Sequence, residues 1–173
     1  VVHNGEISSY DANRRFIEMF GYKCTLLTDT EVIAYALDFL VRKKGLTYSE
    51  AAAVIAAPFW STIEHMPKAR GETCDYLRKE FPSLLMTGPF SILVGFDGGM
   101  MALNDRLKLR SMVAAKNSDT TYFASEECAI RKMDVNAKDL FAPRGGEPVI
   151  VTLKNKSGGL PMADLNCFAE DAR

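Results

Sequence analysis

Helix signals crowd into the first half of this chain and strand signals into the second, and that division limits its fold more than any other feature. From Tyr10 to Phe20, Ala12, Phe16, Ile17 and Phe20 recur with a period near 3.6, and Gly21 closes the run. A stronger segment, "TDTEVIAYALDFLVRKKG", opens on Thr28-x-x-Glu31, the spelling of a capping box. It carries Val32, Ile33, Ala36, Leu37, Leu40 and Val41 as one stripe and ends on Arg42, Lys43 and Lys44 before Gly45. A third helix is predicted after Thr47, ending near Pro58, and a fourth over Ala69–Phe81, interrupted early by Gly71, with "PFWSTIEHMPK" as a bend between them. Past Pro82 the pattern turns to short apolar runs with turns: "FSILVGFDGG", "MMALND", "LRSMVAAKN", "TTYFASE" and "PVIVTLKN". Helices first and antiparallel-looking strands second predict α+β layers. No Gly-rich phosphate loop argues for a doubly wound sheet instead.

At 173 residues the chain suits one domain able to bury a core without staples. With 21 basic against 22 acidic side chains there is no global field to draw it to nucleic acid or an anionic membrane, so neither is expected as a partner. Cys24, Cys74, Cys128 and Cys167 stand far apart without a CxxC, and only His3 and His65 could join them, which argues against zinc. Read as small buried hydrophobes, they fit a reducing cytoplasm, the expected location. No apolar run reaches the ~18 residues of a membrane span, and no signal-peptide pattern is visible.

Chemistry concentrates near the start. Val1-Val2 reads as the end of a strand and Asn4-Gly5 as a tight turn. An Asn amide beside a Gly backbone N–H makes a two-donor site able to stabilise an oxyanion, although Asn-Gly is above all a turn signal. Asp29 lies in a first helical turn, where a carboxylate stabilises the helix. A fixed acid there can also bind a substrate ammonium group. Elsewhere Ser125 reads as the cap of a helix opening at "SEE", Phe90, Met100 and Met101 as core, and the Arg42–Lys44 and Arg131-Lys132 groups as solvated faces or helix ends.

Taken together, "HNGEIS", a helix, and "TDTEVIA" opening the next helix resemble the class II glutamine amidotransferases, which have the N-terminal nucleophile hydrolase fold. The resemblance implies that Asn4 and Gly5 form an oxyanion hole and that Asp29 grips the glutamine α-amino group. "GPFSILVGFDGGMMALNDRLKLR" resembles the hairpin and Asp-Arg-x-x-x-Arg turn of glutamate synthase amidotransferase domains, with Asp105, Arg106 and Arg110 at the matching positions. "YFASEECAI" and "GGEPVIV" resemble their closing strands, and Asn13-Arg14 after "NGEI" leans the same way. The similarity covers about residues 1–43 and 88–153, with 44–87 as a helical insertion.

The resemblance implies a four-layer αββα sandwich of which this chain is the larger, C-terminal part: an amidotransferase domain over 1–156 and a tail over 157–173. Class II enzymes use an N-terminal Cys as nucleophile and an Arg-bearing segment before the Asn-Gly turn, and Val1 supplies neither. The nucleophile is therefore expected on a missing N-terminal segment or a partner chain, and the chain alone is expected to be inactive. The implied reaction releases ammonia from glutamine for a synthase subunit making glutamate from 2-oxoglutarate. Its FMN and iron–sulfur cluster would sit on that partner; no cofactor or metal is expected here. The alternative is a catalytically inactive, glutamine-sensing or structural subunit.

Overall fold

The structure, a computed structural model, describes residues 1–153, so the expected 157–173 tail and Cys167 lie outside the described residues. Strand β1 (Val2–Gly5) leads into helices α1 (Tyr10–Met19) and α2 (Asp29–Asp38), then α3 (Tyr48–Ile55), α4 (Trp60–Glu64) and α5 (Lys68–Glu80). Strands β2 (Phe90–Phe96), β3 (Gly99–Asn104), β4 (Val113–Lys116) and β5 (Thr121–Ala124), helix α6 (Glu127–Met133) and strand β6 (Val149–Thr152) complete the described chain. Apart from β1 and α6, helices do precede strands, as the periodicities predict.

A four-stranded antiparallel sheet runs in the order β1-β2-β3-β6, and β4 and β5 pair separately. Successive side chains of a strand point to opposite faces, and here the faces differ sharply. Phe90, Ile92 and Val94 of β2 and Met101 and Leu103 of β3 pack into one core with Ile33, Leu37 and Leu40 of the α2 region and Ala51–Ile55 of α3. Leu77 of α5 and Leu84 join the same core, so the segment 44–87 shares the main hydrophobic interior. Met101 and Phe90 are core as expected, but Met100 points to the other face and is 37% exposed. A second, smaller cluster forms where Ala115 of β4, Ile130 of α6 and Ala137 meet.

Several local expectations are corrected. The helix begun at Asp29 does not run unbroken to Lys44: it widens into a π-turn over Phe39–Lys43, where the Lys44 N–H reaches the Phe39 carbonyl at 3.0 Å. Its basic end is not merely solvated, because Lys43 Nζ donates to the Phe20 carbonyl at 3.1 Å and lies 4.2 Å from the centre of the Tyr22 ring. Gly71 does not interrupt α5. It is buried, and a Cβ there would lie 3.1 Å from the Ile63 carbonyl oxygen, so a missing side chain lets α4 and α5 approach. The expected bend at 58–68 contains α4 itself. Ser125 is not the cap of α6: Glu126 occupies that position without a side-chain cap bond.

Candidate functional site

The end of β1 is fixed by its neighbours. Gly5 has φ +148°, and a Cβ there would fall 2.1 Å from the Pro89 carbonyl oxygen, so only glycine fits this close approach. The Glu6 N–H reaches that same carbonyl at 2.9 Å, and the Ser8 N–H reaches the Thr87 carbonyl at 2.7 Å. The pairing is antiparallel, with Asn4 opposite Ser91 and Gly5 opposite Phe90. Hydrogen-bonded and non-bonded pairs alternate along such a ladder. Bonded positions at 6 and 8 make position 4 bonded and position 5 not. The Gly5 N–H therefore points away from β2, off the outer edge of β1, which is an edge strand among the described residues.

Phe90 confirms that phase from the other side. Its carbonyl accepts the Asp105 N–H at 2.8 Å and its own N–H donates to Asp105 Oδ2 at 3.2 Å, so its main-chain groups face β3. The Asp105 carboxylate, 2% exposed, also accepts the N–H groups of Leu107 at 3.0 Å and Leu109 at 2.9 Å. It shapes the whole 105–110 turn.

Asn4 lies on the face away from the main core, in register with Ser91 and, through it, Asn104. Its side chain is exposed, and Nδ2 donates to Ser125 Oγ at 3.4 Å, a long bond that a better acceptor could replace. Ser125 thus serves this contact rather than a helix start. Asn104, fully buried, donates to the Arg110 carbonyl at 2.8 Å and leaves its Oδ1 without a partner.

Asp29 reaches the same region from α2. Its Oδ2 accepts the Ile7 N–H at 2.8 Å, tying the first turn of α2 to the chain leaving β1. A bond to a charged acceptor contributes ~1.5–3 kcal/mol. The cap proper is Thr28, whose Oγ1 accepts the Glu31 N–H at 3.3 Å. The return half of the expected capping box is missing: Glu31 instead accepts the N–H groups of Thr25 at 3.0 Å and Leu26 at 2.8 Å. Leu27, between them and the cap, takes a left-handed φ of +56°.

His3 precedes Asn4 on β1 and lies opposite Ile92, so its ring points to the other face of the strand from the Asn4 side chain. Burial lowers its pKa below the usual 6.5, opposed by the Asp29 charge and assisted by Arg110, and its Nε2 is buried without a partner. Neither Cys24 nor Cys128 is an activated thiol. Cys24 and Cys74 are buried, with burial pushing the Cys24 thiol up, and exposed Cys128 is held up by its bond to Glu126. Among the described residues no group of three or more His, Cys, Asp or Glu side chains is arranged to hold a metal ion, and no helix is long and apolar enough to cross a membrane.

No family model matches the chain. It is similar to an uncharacterized protein of Archaeoglobus fulgidus, 45% identical over 156 residues, covering 90% of this chain and 41% of that one. It is also similar to an amidophosphoribosyltransferase of Methanocaldococcus jannaschii, 26% identical over 141 residues, covering 81% of this chain and 24% of the relative. Among solved structures it superimposes on the glutamine phosphoribosylpyrophosphate amidotransferase of B. subtilis with a TM-score of 0.57 and 21% identity, over 87% of this chain and 26% of that enzyme. The chain spans less than half the length of these relatives. It has the α+β fold of the matched part of that amidotransferase, and its homologues include amidotransferases.

Proposed function

We propose that this chain forms the glutamine-binding side of a class II amidotransferase site that releases ammonia from the glutamine side-chain amide. A thiolate attacks the carboxamide carbon, and the Asn4 amide and Gly5 N–H stabilise the tetrahedral oxyanion. Ammonia leaves, and water then releases glutamate. Asp29 holds the substrate ammonium. The observation that carries this reading is the Ile7-to-Asp29 bond, which brings a carboxylate to the exit of the strand whose Gly5 N–H points outward. The amidotransferase fold supports it. Because Cys24 and Cys74 are buried and the Cys24 and Cys128 thiols are held up, the nucleophile is proposed to come from outside them, on another part of the protein or on a partner chain. The αββα layering is part of the same proposal, supported by the two-stranded β4–β5 unit with its own helix α6.

The test uses the whole protein that carries this chain. Asn4→Ala should lower the kcat of glutaminase ~10²–10³-fold with little change in KM, whereas Asp29→Asn should chiefly raise KM. Unchanged turnover in Asn4→Ala overturns the oxyanion role. If glutamine binds but is never hydrolysed in the complete assembly, a glutamine-sensing module replaces the enzyme.

Two acceptors for the ammonia compete. The Asp105, Arg106 and Arg110 turn supports a glutamate synthase-type reaction on 2-oxoglutarate, with FMN and an iron–sulfur cluster on the partner synthase subunit. The amidophosphoribosyltransferase relative favours transfer to phosphoribosylpyrophosphate. Incubating the complete protein with glutamine and each acceptor separates them by the product formed.

A further inference from the structure

Arg78 on α5 and Arg106 in the turn after β3 converge on residues 58–60. The Arg78 Cζ lies 3.9 Å from the centre of the Trp60 ring, and its Nη1 donates to the Pro58 carbonyl at 2.5 Å. The Arg106 Cζ lies 4.6 Å from the centre of the adjacent Phe59 ring. Neither guanidinium forms an ion pair among the described residues. Arg106 Nη1 is buried with no hydrogen-bond partner.

Burial first and the Arg106 charge second hold the Arg78 pKa down, so the two cations feel each other's field, and burial makes that repulsion stronger. An aromatic ring beside each guanidinium accepts no conventional hydrogen bond and leaves the remaining N–H donors to seek acceptors. A planar fork of N–H groups matches the two oxygens of a carboxylate or phosphate. Phe59 and Trp60 are 39% and 46% exposed, so the rim of this arrangement meets solvent.

We propose that Arg78 and Arg106 form a binding site for an oxyanion, a phosphate or carboxylate group gripped by the two guanidinium edges beside the Phe59 and Trp60 rings. Neither arginine hydrogen-bonds Asn4, Gly5 or Asp29, the residues of the glutamine reading, and the oxyanion site stands on its own contacts. Its presence does not depend on that reading.

Trp60 is the only tryptophan in the chain, so its fluorescence reports on this site directly. At constant ionic strength, titration with inorganic phosphate or with succinate is expected to give a saturable change, with half-saturation in the millimolar range. Saturation by phosphate alone assigns a phosphorylated ligand, and saturation by succinate alone a carboxylate. Arg106→Gln, whose side chain makes no hydrogen bond to lose, should weaken binding at least tenfold, while Lys116→Gln on β4 should leave it unchanged. Arg78→Lys, with charge kept and the fork lost, should weaken it as well. Saturation by neither anion, or an unchanged curve in a folded Arg106→Gln protein, overturns the proposal.

Discussion

The starts of α2 and α3 are spelled alike and built differently. At α3 the Thr47-x-x-Glu50 box closes on itself: the Glu50 N–H reaches Thr47 Oγ1 at 3.2 Å and the Thr47 N–H reaches Glu50 Oε2 at 2.8 Å. At α2 only the Thr28 half is made, while Glu31 holds the Thr25–Leu26 loop and Asp29 holds the exit of β1. One start secures its own helix. The other fastens two neighbouring segments and tolerates a left-handed Leu27, a conformation that costs ~1–2 kcal/mol. Where the two differ is where the proposed site lies, which fits the tendency of strain to gather at functional positions.

The sharpest way to break this comparison is to remove each glutamate. Glu31→Ala withdraws a 7%-exposed acceptor from two backbone N–H groups and should cost about 2–3 kcal/mol. Glu50→Ala should cost about 1 kcal/mol, and equal losses in urea unfolding would erase the distinction. Next come the threonines. Thr47→Ala should destabilise by about 1 kcal/mol and Thr28→Ala by about half that, since its bond is longer and its box incomplete; the reverse order in thermal melts would contradict the geometry.

The smallest effect is in pH. Burial lowers the folded-state pKa of His3, so the unfolded chain binds the proton more readily. The stability gained by keeping His3 neutral is fully present above the unfolded value of about 6.5 and is lost as pH falls through the folded value. The α2 end of the molecule should carry this sensitivity. His3→Gln should flatten the fall in Tm below that pH and leave Tm above it little changed in slope; a parallel pH profile would remove His3 from the argument.

Much of this was legible in the residues because the signals are local. Gly21, Thr47 and the alternating Ile92, Val94, Met101 and Leu103 act through neighbours one to four positions away, and their elements formed as read. Glu31 was misread because its competing partners, Thr25 and Leu26, sit just outside the pattern that names a capping box. Gly71 looked like a breaker because only the packed α4 reveals what a side chain would strike. The direction of the Gly5 N–H was beyond any sequence reading, since it depends on the phase of a ladder formed with residues more than eighty positions away.

That phase is a matter of parity. By engaging both main-chain groups of Phe90, Asp105 commits even-numbered positions of β2 to β3 and odd-numbered ones to β1. A carboxylate one strand removed from β1 thereby governs whether a glycine amide looks inward or outward. Slipping β1 by a single residue along β2 would turn that amide into the sheet and bury its hydrogen, with every side chain of the strand still present and no atom of the proposed chemistry deleted.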